Sequence, residues 1–94
     1  MAVSFRVFTT AAFDRSMRRL VKGNPDIPKI FEDLVSVLAT DPQNLSRKHN
    51  IKKLSNVEAG YGQWRIRSGV YRLRYDIEAD IVTLHSINHR KDAY

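Results

Sequence analysis

The chain has 94 residues with a formal net charge of +6; 43% of them are hydrophobic, 28% are charged and none is cysteine. This size allows one hydrophobic core, and the composition is typical of a folded globular protein, so we expect a single domain over residues 1–94. The lack of cysteine excludes a disulfide framework, a thiolate zinc site and a cysteine nucleophile, and the positive charge indicates an anionic partner, which nucleic acid, an acidic protein or an anionic lipid surface could provide.

The first apolar run covers residues 3–8, where apolar and polar side chains alternate. This period of two predicts a β-strand. Arg6 interrupts the run, which is too short for a signal-peptide core or a membrane-spanning helix. We therefore expect a cytoplasmic protein without a membrane partner.

Two amphipathic helices are predicted after this strand. One of the threonines at positions 9 and 10 can cap a first helix with apolar residues at positions 13, 17, 20 and 21 and a stop at Gly23. Asn24 and Pro25 are predicted as the N-cap and first-turn proline of a second helix, whose apolar positions are 27, 30, 31, 34, 35 and 38. This helix should end at Thr40-Asp41-Pro42, giving a helical hairpin.

The second half of the chain predicts mainly strands. A basic connector covers residues 47–54, and three alternating runs follow it: residues 61–67, 70–77 and 81–87. The predicted order is β-α-α-β-β-β. This order indicates an α+β fold, in which the helical hairpin packs on one face of a sheet that ends in a three-strand antiparallel meander.

The pairing of the first two meander strands depends on their turn. With Ser68-Gly69 as a two-residue turn, Arg65 is predicted to face Arg72, and the two faces separate by polarity. The apolar face comprises Trp64, Ile66, Tyr71, Leu73, Tyr75 and Ile77. The opposite face comprises Gln63, Arg65, Arg67, Arg72 and Arg74.

A pair of arginines facing each other across a hairpin has no benefit for the fold. Directly opposed like charges cost roughly 0.2–1 kcal/mol, and such conflicts tend to mark functional positions. Guanidinium groups donate two parallel hydrogen bonds to a phosphate, which favours a phosphate-bearing ligand. The structural alternative is a solvated face whose charges pair with Asp76, Glu78 or Asp80.

The C-terminal segment carries three kinds of functional side chain. His89 can titrate near neutral pH, Arg90 can bind phosphate, and Tyr94 can stack on a base or donate its hydroxyl. The structural alternatives are an exposed strand-end histidine and a frayed terminal tyrosine. His85 and His49 are weaker candidates, as a packed strand residue and a loop residue.

Two segments resemble the RelE/ParE superfamily of bacterial toxins. They are Trp64-Arg65-Ile66-Arg67-Ser68-Gly69-Val70-Tyr71-Arg72-Leu73-Arg74-Tyr75 and Asn88-His89-Arg90-Lys91-Asp92-Ala93-Tyr94. Some members of this superfamily cleave messenger RNA on the ribosome, whereas others inhibit DNA gyrase. The resemblance also implies a cognate antitoxin, with which the chain would form a hetero-oligomer.

The resemblance assigns roles to individual residues. Arg72 matches the arginine that RelE-like enzymes use to stabilise the scissile phosphate, and Arg65 matches a basic residue, commonly lysine, on the facing strand. Arg90 matches a C-terminal arginine, and Tyr94 matches a tyrosine that stacks on the substrate, although its spacing from Arg90 differs. Gln63 is a departure, because some relatives have a lysine at this place and glutamine cannot accept a proton as a base.

The favoured function is therefore a ribosome-dependent messenger-RNA endoribonuclease that needs no metal or other cofactor. The ribose 2′-OH would attack the adjacent phosphate, with Arg65, Arg72 and Arg90 stabilising charge, His89 as acid or base, and Tyr94 stacking on a base. The expected RNA track comprises Lys52, Lys53, Gln63, Arg67 and Arg74. The alternatives are a ParE-like gyrase inhibitor and a non-catalytic relative that binds RNA or protein.

Overall fold

The computed structural model describes residues 4–92 and contains the predicted elements plus one more strand. The elements are β1 Arg6–Thr9, α1 Ala11–Gly23, α2 Ile27–Thr40, β2 Ile51–Lys53, β3 Trp64–Ser68, β4 Tyr71–Glu78, β5 Ile81–His89 and a 3-10 turn at Arg90–Asp92. The additional strand is β2, which lies in the segment predicted as a basic connector. None of the helices in this part of the chain is long and apolar enough to cross a membrane.

The five strands form one mixed sheet in the order β1-β5-β4-β3-β2. Strand β1 runs parallel to β5, and the other neighbours are antiparallel. The predicted α+β class and the meander β3-β4-β5 are confirmed. The meander is extended by β2 at one edge and by β1 at the other.

The first helix begins as predicted and the second does not. Thr10 caps α1, because its hydroxyl accepts a hydrogen bond of 3.1 Å from the backbone N–H of Phe13. The predicted N-cap of α2, Asn24, is wrong. Its side-chain oxygen accepts from the N–H of Asp26 at 2.9 Å, which makes a turn between the helices, and α2 starts two residues later with Asp26 as its N-cap and a proline in its first turn.

Both helices pack on the same face of the sheet and form a single core with it. The core residues are Phe13, Leu34, Leu38, Ile66, Leu73, Tyr75, Val82, Leu84 and Ile87. Tyr75 is fully buried at the centre of this group, and its hydroxyl donates a hydrogen bond of 2.6 Å to the carbonyl of Pro42. Burial raises the pKa of the Tyr75 phenol. The hydroxyl therefore stays protonated and links β4 to the loop after α2.

The β3-β4 hairpin turns one residue later than predicted. Ser68 pairs with Tyr71, so the turn is Gly69-Val70, and Gly69 has a positive φ of 58° that suits glycine. The predicted pairing of Arg65 with Arg72 is therefore wrong, and Arg72 faces Arg67 instead. Because the partner shifts by two residues and side chains alternate with a period of two, every residue keeps its predicted face.

Strand β5 contains a β-bulge that the sequence pattern did not predict. Arg74 pairs with Ser86 and Tyr75 pairs with Leu84, which leaves His85 as an extra residue without a partner. The bulge allows Leu84 and Ile87, three positions apart, to be fully buried on the same face. It also reverses the faces that residues 86–90 would have had in a regular strand.

The loop after α2 is held by one carboxylate. Asp41 accepts hydrogen bonds from the backbone N–H of Leu45 at 2.7 Å and from the hydroxyl of Ser46 at 2.6 Å, and His49 Nε2 lies 3.7 Å from it. The hydrogen bond from the Ser46 hydroxyl is the largest cause that lowers the pKa of Asp41 below its ordinary value of 3.8. The ionised carboxylate is thus the form that stabilises this loop.

Replacement of Tyr75 by phenylalanine should destabilise the protein by about 1–3 kcal/mol, because the buried carbonyl of Pro42 loses its donor. Urea unfolding of Tyr75→Phe measures the loss. The matched control is Tyr61→Phe, since Tyr61 is 63% exposed, and its unfolding midpoint should not change. Equal midpoints for both variants would contradict the role assigned to the Tyr75 hydroxyl.

The contribution of Asp41 should depend on pH with a defined sign. A carboxylate with a lowered pKa in the folded state stabilises the fold above its unfolded pKa, and this contribution disappears as the pH falls through the folded value. The stability difference between the wild type and Asp41→Asn should therefore be large at neutral pH and should disappear as the pH falls through the folded pKa of Asp41, which lies below 3.8. Asp80→Asn, at an exposed surface pair with Arg6, serves as control, and a pH-independent difference for Asp41→Asn would refute the assignment.

Candidate functional site

Four arginines lie on the sheet face that the helices leave open. Arg65 and Arg67 alternate on β3 with the buried Ile66, and Arg72 and Arg74 alternate on β4 with the buried Leu73. We call Arg65, Arg67, Arg72 and Arg74 the arginine face. Their positions on this face confirm the separation predicted from the sequence.

The corrected register makes two pairs of opposed arginines rather than one. Arg65 faces Arg74, and Arg67 faces Arg72. Each opposed pair of like charges costs roughly 0.2–1 kcal/mol. Two such pairs side by side concentrate positive charge on the open face of the hairpin.

Arg65 and Arg72 are two arginines of this face whose pKa is lowered by their surroundings. Burial, followed by the charge of Arg67, lowers the pKa of Arg65. The Nε atom of Arg65 is buried and has no hydrogen-bond partner among the described residues. A donor in this condition is costly, because it has lost water without gaining an acceptor.

Arg90 extends the arginine face beyond the end of β5. Its backbone N–H donates to the carbonyl of Val70 at 2.7 Å, which fixes the start of the 3-10 turn beside the hairpin turn. Burial lowers the pKa of Arg72 first and the neighbouring arginine charges lower it further, including that of Arg90. The exposed Arg90 therefore adds its charge to the end of the arginine face that carries Arg72.

Two of the carboxylates that could have neutralised these charges, Asp76 and Asp80, are used elsewhere. Asp80 pairs with Arg6 at 3.4 Å, at the far end of the hairpin. Asp76 accepts hydrogen bonds of 2.9–3.1 Å from the backbone N–H groups of Gly60, Gly62 and Gln63. Among the described residues, no ion pair joins a carboxylate to Arg65, Arg67 or Arg90. The alternative of a face neutralised by these acids therefore has no support for those three arginines.

Arg74 and Gln63 are occupied with structural contacts. Arg74 donates hydrogen bonds of 2.9 Å from Nε to the carbonyl of Gly62 and from a terminal nitrogen to that of Tyr61. Gln63 donates from its side-chain amide to the carbonyl of Val57 at 3.0 Å. Both were predicted in the RNA track, but the structure uses their polar groups to hold the loop before β3.

The predicted basic track divides between the two faces of the sheet. Lys52 pairs with Arg65 across β2 and β3, so it extends the arginine face. Lys53 is on the other face, where its ammonium lies 5.6 Å from the centre of the Trp64 ring. This distance allows a cation–π contact, and Lys53 is not brought together with the arginines.

The predicted acid or base, His89, also lies on the helix side of the sheet. Its ring contacts that of Tyr71 edge-on, with 5.6 Å between ring centres, and its Nδ1 accepts from the backbone N–H of Lys91 at 3.1 Å. The bulge at His85 causes this placement. The structure therefore does not bring His89 together with the arginine face, and its predicted role in catalysis is untested.

The remaining candidates from the sequence are Tyr94, His85 and His49. Tyr94 lies outside the described residues. His85 occupies the bulge, with its ring against Gly62, and His49 lies beside Asp41. No three His, Asp or Glu side chains within residues 4–92 are close enough together to hold a metal ion.

Sequence reasoning missed the clamp that Arg74 and Asp76 form on the loop at residues 60–63. The two side chains share a face of β4, and together they bind both N–H and carbonyl groups of the loop. The sequence signal was the pair of closely spaced glycines at positions 60 and 62, because such glycines mark irregular backbone before a strand. Both have positive φ angles in the structure, of 95° and 76°.

A comparison with family models identifies one family, and a comparison with solved structures finds chains of similar fold. The sequence model of the family described as the ParE toxin of the type II toxin-antitoxin system parDE matches residues 7–94. A chain of the toxin-antitoxin complex RelBE2 from Mycobacterium tuberculosis has 26% identity and a TM-score of 0.67, covering 94% of this chain and 100% of that chain. No curated protein matches the sequence.

Two further solved structures are similar in fold. The archaeal RelE-RelB complex from Pyrococcus horikoshii contains a chain with 19% identity and a TM-score of 0.67, covering 96% of this chain and 99% of that chain. The RelB-RelE antitoxin-toxin complex from Methanococcus jannaschii contains a chain with 22% identity and a TM-score of 0.61, covering 93% of this chain and 94% of that chain.

Replacement of Gly62 by alanine should destabilise the protein and disturb the arginine face. A Cβ atom at Gly62 would lie 3.0 Å from the Cβ of Arg74, and residues with a side chain rarely adopt its φ of +76°. We expect the free energy of unfolding to fall by about 1–3 kcal/mol. Thermal unfolding measures it. Gly23→Ala is the control, since nothing lies within 4 Å of its added Cβ, and a similar effect in both variants would contradict the packing argument.

Proposed function

The chain belongs to the ParE toxin family of type II toxin-antitoxin systems, within the RelE/ParE superfamily, and we propose that it arrests translation by cleaving messenger RNA on the ribosome. The observation that carries this proposal is the gathering of Arg65, Arg67, Arg72 and Arg90 at one end of the open sheet face. A phosphodiester is the ligand that such a set of guanidinium groups fits best.

Binding of an RNA backbone would relieve the charge conflicts of this face. A phosphate between Arg67 and Arg72 places negative charge beside two facing guanidinium groups, and its oxygens offer acceptors for the unpartnered Nε–H of Arg65. The fixed positions of the guanidinium groups matter for catalysis, because preorganised donors stabilise developing charge without reorganising during the reaction.

The proposed reaction is transfer of the phosphate within the RNA strand. The 2′-oxygen forms a bond to phosphorus while the bond from phosphorus to the 5′-oxygen breaks, giving a 2′,3′-cyclic phosphate and a 5′-OH. Arg65, Arg67 and Arg72 stabilise the extra negative charge on the phosphate, and Arg90 stabilises the leaving 5′-oxygen. Tyr94 stacks on a neighbouring base, an interaction worth ~1–3 kcal/mol.

Proton transfer is the step that the arginines cannot perform. Their pKa is above about 12, so they are poor bases. His89 is directed away from this face, and its Nδ1 already accepts a hydrogen bond from Lys91. We therefore propose that water accepts the 2′-OH proton and that water also protonates the leaving 5′-oxygen. The role of the protein is then to stabilise negative charge on the phosphate and the leaving group.

A cognate antitoxin is the proposed protein partner. The similar solved structures are toxin-antitoxin complexes named RelBE2, RelE-RelB and RelB-RelE. An acidic segment of an antitoxin can cover the arginine face in the resulting hetero-oligomer and compete with RNA for it. The proposed site of action is the cytoplasm.

Inhibition of DNA gyrase is the second candidate, and the position of His89 is the observation that favours it. A binding surface for gyrase needs no acid or base, and the arginine face contains none. Induction would then cause DNA damage and supercoiling defects while transcripts stay intact. A supercoiling assay with purified gyrase separates this candidate from RNA cleavage.

Removal of the central arginine pair should abolish toxicity without unfolding the protein. We expect Arg67→Ala and Arg72→Ala each to lower the cleavage rate by about 10²-fold or more. The unfolding midpoint of Arg67→Ala should be equal to or above that of the wild type, because a like-charge conflict is removed. Growth after induction and mapping of transcript 5′ ends measure the effect.

The matched control is Arg15→Ala with Arg18→Ala, two exposed arginines of α1, which should remain toxic. Cleaved transcripts and growth arrest with a folded Arg72→Ala variant would refute the site assignment. Growth arrest by the wild type with intact transcripts and inhibited supercoiling would refute the nuclease in favour of gyrase inhibition. Expression of the wild type without growth arrest would refute both toxin activities and support a non-catalytic protein that binds RNA or protein.

A further inference from the structure

A second cationic cleft lies on the helix side of the sheet, behind the end of the arginine face. It has a volume of about 340 Å³, between the end of α1 and the adjoining ends of β4 and β5. Its lining includes Arg19, Leu20, Asn24, Tyr71, His89 and Lys91. We call it the His89 cleft.

The side-chain acceptor atoms of Asn24, Tyr71 and His89 in this cleft are already used. The side-chain oxygen of Asn24 accepts from the N–H of Asp26 at 2.9 Å, and the hydroxyl oxygen of Tyr71 accepts from the amide of Asn24 at 2.9 Å. Nδ1 of His89 accepts from the N–H of Lys91 at 3.1 Å. This bond places the proton of the neutral imidazole on Nε2. Tyr71 and His89 therefore each keep a hydrogen to donate.

Two full charges stand beside these donors. Arg19 and Lys91 are exposed, and neither forms an ion pair within the described part of the chain. The C-terminal carbonyls of α1 carry about half a negative charge, and one of them, that of Leu20, is bound by the N–H of Asn24. The two cations outweigh this charge, so the cleft presents donors and positive charge and suits a bound anion.

We infer that the His89 cleft binds a second phosphate of the same RNA strand whose scissile phosphate lies on the arginine face. This inference rests on the proposed function. It assigns His89 and Tyr71 to hold the flanking phosphate through Nε2–H and O–H, with Arg19 and Lys91 supplying charge. Hydrogen bonds from such groups to phosphate are of the strong, charge-assisted kind.

Charge on both faces favours RNA over an acidic peptide as the occupant. Arg90 and Lys91 are neighbours in sequence, yet Arg90 lies near Arg72 on the arginine face while Lys91 lines the cleft on the opposite face. Positive charge is therefore present on both faces at this end of the sheet. A phosphate backbone carries charge at every nucleotide and can contact both faces.

The test measures binding of a fluorescent single-stranded 2′-O-methyl RNA, which lacks the attacking hydroxyl and is not cleaved. Arg19→Ala with Lys91→Ala should weaken binding about tenfold or more. The slope of log affinity against log salt concentration should fall by about 0.7, the value for one lost phosphate contact with a single strand. The control Arg15→Ala with Arg18→Ala also removes two positive charges, both from α1, and should leave the slope unchanged.

A second readout reports on the cleft itself. In ¹⁵N-labelled protein, the Nε2 resonance of His89 should move on addition of the same RNA, and the ring of His49 beside Asp41 should not respond. The movement should be lost in the Arg19 and Lys91 double variant. Thermal unfolding checks that the variant, altered at two exposed side chains, is folded.

The outcomes separate the two proposals. A wild type that binds no RNA overturns the proposed function together with the cleft assignment. A wild type that binds RNA, with unchanged affinity and slope in the double variant, overturns the cleft assignment alone. A double variant that keeps RNA binding but loses binding to a polyglutamate peptide overturns it in favour of a carboxylate site.

Discussion

Burial of one sheet face beneath two helices is the constraint on which this structure depends. Ile66, Leu73 and Tyr75 alternate along β3 and β4 toward the helices, so the residues between them must point the other way. The arginines could not lie on the core side, where unpaired charges would cost far more than their mutual repulsion. The same alternation that builds the core thus concentrates positive charge on the open face.

The bulge in β5 decides which C-terminal residues join that charge. In a regular strand, His89 would continue the face of Ile81 and Thr83, whose partners on β4 are Glu78 and Asp76. The extra residue at His85 exchanges the faces, so that Arg90 approaches Arg72 and His89 contacts Tyr71. One inserted residue therefore separates a titratable group from a permanently charged one, and gives the two sides of the sheet different chemistry.

The sequence predicted the arginine face and the order of the helices and strands apart from β2. Both follow from periodicity, and an error of two residues in register leaves faces unchanged. It did not predict the pairing of Arg67 with Arg72, since Ser68-Gly69 and Gly69-Val70 are both acceptable glycine turns. The bulge has no compositional signal, and the contacts of Arg74 depend on the fold of a loop distant in sequence. The four arginines were therefore predicted by face and not by partner, whereas His89 and Lys53 lie on the other face.

The opposed arginines of β3 and β4 make folding and ligand binding respond to salt with opposite sign. Dissolved ions shorten the reach of each charge to about 8 Å at physiological ionic strength and less above it. Added salt therefore eases the repulsion between Arg67 and Arg72 and favours the native hairpin, but it also weakens attraction to a polyanion. A bound polyanion and added salt therefore act in the same direction on these opposed arginines, because both reduce the repulsion between like charges.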